Sequence, residues 1–203
     1  MGKVLLIALA VLVVLAVASQ FVIPPVAENR VEDRLTSGGG SADVSLDAFP
    51  AVRLLFGDGD RVEVRGNGLD LNLERETNVF DNLDGFDEVD VSLADYRAGP
   101  FQIRTFELAR DGSEATYHLV LAGSATPADI AAYGADRLGL VGGPLLGAIA
   151  AQLAGKRPVP IDLDMQLRSE DGRVVVESGG GTVAGLPAGL LAQVITSAIV
   201  VRL

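Results

Sequence analysis

An α+β domain is predicted: a strongly curved antiparallel sheet wrapped around apolar helices, behind an N-terminal signal or anchor helix. Three observations predict it. Residues 4–18 are an unbroken apolar run behind Lys3. The middle of the chain alternates apolar and polar residues with period two, as strands with one wet face do. Two later segments are apolar nearly all round, so each must be buried in protein or in lipid.

The leader has a basic flank, an apolar core and a small-x-small end at Ala16-Val17-Ala18, the parts a secretory signal needs. Apolar residues resume at Phe21, Val22 and Ile23, and residues 4–23 are long enough to cross a hydrocarbon core of about 30 Å. Cleavage before Ser19 and retention as an anchor both remain open. Residues 1–22 are taken as this segment and residues 23–203 as one exported domain.

Pro24 and Pro25 can open a helix, since a first-turn proline loses no needed hydrogen bond. Val26, Val31 and Leu35 continue it at helical spacing, and Gly38-Gly39-Gly40 ends it. Strand alternations follow: Val44, Leu46 and Ala48; Val62 and Val64; Leu69, Leu71 and Leu73; Val89, Val91 and Leu93. Turns at Gly57-Asp58-Gly59-Asp60 and Gly66-Asn67-Gly68 make these an expected meander. Phe101 and Ile103 share one parity, Phe106 and Leu108 the other, which calls for a bulge. Asp111-Gly112 then joins a partner strand with Tyr117, Leu119 and Leu121.

Thr126-Pro127-Ala128-Asp129 starts a helix with a hydroxyl cap, a first-turn proline and an acid three residues on. From residue 138 to 155 no charge occurs, and Gly139, Gly143 and Gly147 allow close helix approach. A hairpin with Ile161, Leu163, Met165 and Leu167 turns at Asp171-Gly172 toward residues 174–176, and a last apolar helix is expected over residues 187–202. Hairpin, Gly/Pro start and apolar helix thus occur twice, but only Ile103/Ile161 and the two Asp-Gly turns correspond clearly, so an internal repeat is the less favoured reading.

Composition narrows the chemistry. Without cysteine there is no disulfide, thiolate nucleophile or thiolate metal ligand. A formal charge of −11 repels phosphate backbones, so no nucleic-acid partner is expected. His118 is the only histidine, and its parity points it away from the core. No Gly-x-Ser-x-Gly elbow exists to activate a serine. Asp162/Asp164 and Asp87/Asp90 are explained by strand alternation, and Gly38-Gly39-Gly40 and Gly179-Gly180-Gly181 read as flexible connectors rather than phosphate loops. No catalytic residue, metal or cofactor is therefore assigned.

One segment departs from strand grammar: Phe49-Pro50-Ala51-Val52-Arg53-Leu54-Leu55-Phe56-Gly57 clusters apolar residues where a soluble protein usually places polar ones. It reads either as a buried connector or as a lip for lipid. The exported leader, short helix, strand ending in Phe-Pro, Leu-Leu-x-Gly turn and Arg61-Val62-Glu63-Val64-Arg65-Gly66-Asn67-Gly68-Leu69 resemble the LmeA-family phospholipid-binding proteins of the actinobacterial envelope. That resemblance implies a phospholipid-binding envelope protein without catalysis, on a fold akin to the tubular lipid-binding proteins. The chain departs from the pattern at Ala51, where a larger apolar residue is expected after Phe-Pro.

The expected function is an exported, non-enzymatic phospholipid-binding protein that holds acyl chains in an apolar groove. Ten buried methylenes would contribute roughly 8 kcal/mol before ordering costs. Candidate lipid contacts are Phe49, Leu54, Leu55 and Phe56 at the lip, Phe101 and Phe106 on the bent strand, and Leu145 and Ile149 on the charge-free helix. Arg53, Lys156 and Arg157 are candidate headgroup contacts. The competing reading is a structural or assembly protein whose apolar helices pack against a membrane-protein partner. A hydrolase of envelope lipids is a third, and would need a base other than His118.

Overall fold

The computed structural model describes residues 2–71, 82–112, 116–127, 157–170, 173–183 and 186–187, with backbone only for residues 2–17, 173–174, 183 and 186–187. The helix α1 spans Gly2–Leu35. Strands are β1 (Ser41–Asp47), β2 (Gly59–Asn67), β3 (Asp70–Leu71), β4 (Phe86–Ala98), β5 (Phe101–Arg110), β6 (Thr116–Ala125), β7 (Val159–Glu170), β8 (Arg173–Val183) and β9 (Leu186–Pro187). They form one open sheet in the order β1-β2-β4-β5-β6-β7-β8-β9, with β3 beside β4.

The expected helix start at Pro24 is corrected. α1 runs through Pro24 and Pro25 without a break. Each proline removes one backbone donor and crowds the carbonyl four residues back. The exposed Pro25 carbonyl still accepts from Asn29 Nδ2 at 2.7 Å. The glycine stop holds: a 3₁₀ turn, Thr36–Gly38, follows α1, and Gly39 and Gly40 take positive φ.

The expected antiparallel meander is corrected at β4, which pairs in parallel with both β2 and β3. β2 and β4 run parallel, with Arg61 opposite Glu88 and Asn67 opposite Ala94. Gly66 and Asn67 belong to β2 rather than to a reversing turn. At Gly68 the chain bends and continues in the same direction as β3, keeping the ladder through Gly68 N–H to Ala94 O and Arg97 N–H to Leu69 O. Alternation gives a strand its faces but not its direction. The other strand pairs named in the order are antiparallel.

The bulge is present. Register shifts between Ile103 and Thr105 against β6. β4 changes parity at the same level, where Asp95 takes positive φ, so Leu93 and Tyr96 both face inward. Ile103, Phe106 and Leu108 therefore share one buried face. Gly179-Gly180-Gly181 is not a connector: it lies in β8, opposite Met165, Asp164 and Leu163. Leu186 and Pro187 form an edge strand rather than a helix start, a position where a missing donor costs nothing.

The apolar face is continuous from Val44 and Leu46 on β1 to Ile161, Leu163, Met165 and Leu167 on β7. Ala27, Val31 and Leu35 of α1 pack against it, beside the edge strand β1. Glu32 and Glu28, one turn apart, accept from the Val44 and Leu46 amides at 3.1 and 2.9 Å. These carboxylates satisfy donors that an open edge would leave bare. The helical segments expected after Thr126 and after Pro187 lie outside the described residues. Among the residues whose side chains the structure describes, which in α1 begin at Ala18, no helix is long and apolar enough to cross a membrane.

Candidate functional site: an apolar lip at one end of the sheet

Between β1 and β2 the chain forms a 3₁₀ turn, Ala51–Phe56. Pro50 precedes it in extended conformation after a cis Phe49–Pro50 peptide, and Gly57 closes it at φ 73°, a left-handed cap that glycine adopts without strain. Ala51 is fully buried under the turn, which explains why a small residue follows Phe-Pro here. Leu54 packs partly against the core. Phe49, Leu55 and Phe56 point into solvent, with Phe49 78% and Phe56 84% exposed. The lip is thus built on one buried alanine and one half-buried leucine, and presents its large side chains outward.

Arg53 lies within the turn but is already engaged. Its guanidinium donates to both Asp58 oxygens, at 3.2 and 2.7 Å, and to Asp60 Oδ1 at 2.5 Å. The Arg53 hydrogen bonds hold the Asp58 carboxyl below its ordinary range, and the two acids push the guanidinium pKa further up. Asp60 also accepts from the Phe49 amide at 2.8 Å. Arg53 therefore clamps the lip in shape instead of offering a free cation.

The lip is tied to α1 by Gln20. With its amide oriented to satisfy both partners, it donates to Ala48 O at 3.3 Å and accepts from the Ala51 amide at 2.8 Å. The lip thus sits against α1 at Gln20, just after the apolar run of residues 4–18. Beneath it, Gly59 N–H donates to Gly85 O at 3.0 Å, joining the lip's end to the start of β4.

The same end carries a polar cluster. Arg110 is 9% exposed; its guanidinium donates to Tyr117 Oη at 2.6 Å, to Leu83 O at 3.0 Å and to Phe86 O, and lies 4.7 Å from the centre of the Tyr117 ring. Asp84 accepts from Tyr117 Oη at 2.7 Å and from Ser169 Oγ at 2.5 Å. Burial raises the Tyr117 phenol pKa, so it stays a neutral donor. The cluster pins residues 83–86 over the sheet end. It was legible as a broken rule: the parity that turns Phe106 and Leu108 inward turns Arg110 inward too.

The remaining candidates are dispersed. Phe101 and Phe106 belong to the core, Phe106 meeting Tyr96 edge to face at 6.3 Å. Phe101 starts β5 and Arg110 ends it, so Phe101 lies about 30 Å along the strand from the lip's end. Arg157 is exposed just before β7. Leu145, Ile149 and Lys156 lie outside the described residues. His118 is exposed and pairs with Asp164 at 2.9 Å on the outer face, as parity predicts. No described group of three or more His, Asp or Glu could hold a metal ion.

Among the described residues, the fold and site define an open, mostly antiparallel α+β sheet protein with one helix along its edge and an exposed apolar lip beside that helix. No family model, curated protein or solved structure matches the chain.

Proposed function

We propose that this chain is an exported, non-enzymatic phospholipid-binding protein of the cell envelope, with acyl chains held against the apolar sheet face and the lip facing the lipid. The exposure of Phe49, Leu55 and Phe56 on a clamped turn carries the reading. A core needs no outward phenylalanines, and holding three large apolar side chains in water is a standing cost unless a lipid covers them. The Tyr96 hydroxyl supports it. It is buried within the apolar face without a hydrogen-bond partner among the described residues, and burial raises its pKa so that it remains a donor. An ester carbonyl would satisfy it. The likeness of the Phe-Pro, Leu-Leu-x-Gly and Arg61 to Leu69 segments to the LmeA family agrees with the same function.

Native mass spectrometry of the full chain purified from cells tests the proposal. Bound phospholipid, or its uptake from vesicles, is the expected result. A lipid-free chain that takes up none favours the competing reading, packing against a membrane-protein partner.

A further inference from the structure

We infer that the 3₁₀ turn Ala51–Phe56 and the outward flank of α1 form one membrane-docking surface: with residues 4–23 retained as an anchor, it seats Phe49, Leu55 and Phe56 in the interfacial layer of the same bilayer. The inference rests on the lipid-facing reading above and adds the occupant of the lip: the bilayer itself.

The exposed face of α1 changes character along its length. Outward positions are Ala18, Phe21, Val22, Pro25 and Val26, then Asn29, Arg30, Asp33 and Arg34. Phe21 is 77% exposed and Val22 60%, although the opposite flank of the helix already packs on the sheet through Ala27 and Val31. A helix in water has no reason to be apolar on its outward side over two turns and charged over the next two. A helix leaving a lipid phase does.

The lip belongs to the apolar part of that gradient. Gln20 holds the Ala48 carbonyl and the Ala51 amide, one residue before Phe21. Gln20 stands three residues before Ile23, so the lip is attached about 4–5 Å inside the outer end of the apolar run. That reaches the shallow edge of the depth of about 5–10 Å at which interfacial apolar side chains sit. Among the described residues the exposed large hydrophobics other than Val175 all lie on α1 or on the lip and its preceding phenylalanine. Arg53 is held by Asp58 and Asp60, so attachment here draws on apolar area rather than on attraction to anionic headgroups. A chain of net charge −11 would gain nothing from such headgroups. Docking is thus expected on zwitterionic bilayers and to be insensitive to salt.

The chain contains no tryptophan, so a single Phe56→Trp reports on this position alone. The full chain is reconstituted in phosphatidylcholine vesicles with or without brominated acyl chains. Phe56→Trp is expected to lose emission about twofold in the brominated vesicles, as an interfacial side chain would, with Leu55→Trp as a second reporter on the same turn. Gln102→Trp, exposed at the far end of β5, is expected to be unaffected. Equal, unquenched emission from all three overturns the inference. If phospholipid still co-purifies in that case, lipid binding stands and docking alone falls. Quenching at Phe56→Trp and Leu55→Trp without any co-purified phospholipid upholds docking and removes lipid uptake.

Discussion

Phe56 and Phe106 are the same residue type in one short chain, and the structure assigns them opposite energetics. Phe106 is fully buried, its ring against Tyr96 at 86°. Phe106→Ala removes a whole aromatic ring from a packed face and is expected to cost about 3–5 kcal/mol. Roughly 0.5–1.5 kcal/mol of that belongs to the edge-to-face pair. Against a typical total of about 5–15 kcal/mol this is a severe loss, and at about 2–4 °C per kcal/mol it lowers the melting temperature by roughly 10 °C. Phe56 is 84% exposed, so Phe56→Ala forfeits little packing and should stay within about 0.5 kcal/mol of the parent. Thermal melts in lipid-free buffer, where Phe56 stays exposed to water, followed by far-ultraviolet circular dichroism, compare the two directly. The reasoning is refuted if Phe106→Ala melts within about 2 °C of the parent, or if Phe56→Ala loses as much as Phe106→Ala.

Arg110→Met should destabilise the domain by about 3 kcal/mol in urea denaturation, because Tyr117 Oη and the Leu83 and Phe86 carbonyls lose the guanidinium as donor and Asp84 keeps only Tyr117 and Ser169; a loss under about 1 kcal/mol would mean that water replaces the guanidinium. Tyr96→Phe removes a buried hydroxyl without a described partner, so stability should hold or rise while the phospholipid retained in native mass spectrometry falls; unchanged retention would sever the hydroxyl from lipid binding. Asp58 has a lowered pKa, so its clamp on Arg53 is complete above the ordinary aspartate value of 3.8 and is lost only as pH falls through the lower folded value. The anisotropy of Phe56→Trp should accordingly stay flat from neutral pH down to about pH 4 and drop only below it; a drop near pH 6 would implicate another group.

Much of the sheet was readable from alternation. Val44, Val62, Val89, Phe106, Leu119 and Leu163 all face inward as their parity requires, and the parity break at Phe101 to Leu108 located the bulge. The direction of β4 was not readable, because period-two patterning is identical in parallel and antiparallel strands. Pro24 and Pro25 misled for a related reason: the preference of proline for a helix start is local, whereas packing of Ala27, Val31 and Leu35 on the sheet is not. The site was legible in part. The Phe49 to Gly57 cluster stood out by composition, but nothing in one dimension separates Phe49 and Phe56 from Phe101 and Phe106.

By itself the sequence determined which residues are apolar, the parity that sorts each strand into an inner and an outer face, and the absence of thiol chemistry. Those properties are local, set by covalent structure and the two-residue period of a strand. Tertiary structure alone decided that Arg53 is consumed by Asp58 and Asp60, that the inward-turned Arg110 meets Tyr117, and that Gln20 brings the lip beside the helix that carries Phe21 and Val22. The Arg110 and Gln20 arrangements join parts of the chain from different strands or helices. The Arg53 clamp depends on the fold of the turn that bends its two acids back onto it. Burial, which sets the worth of every charge and ring among them, exists only once the chain has closed on itself.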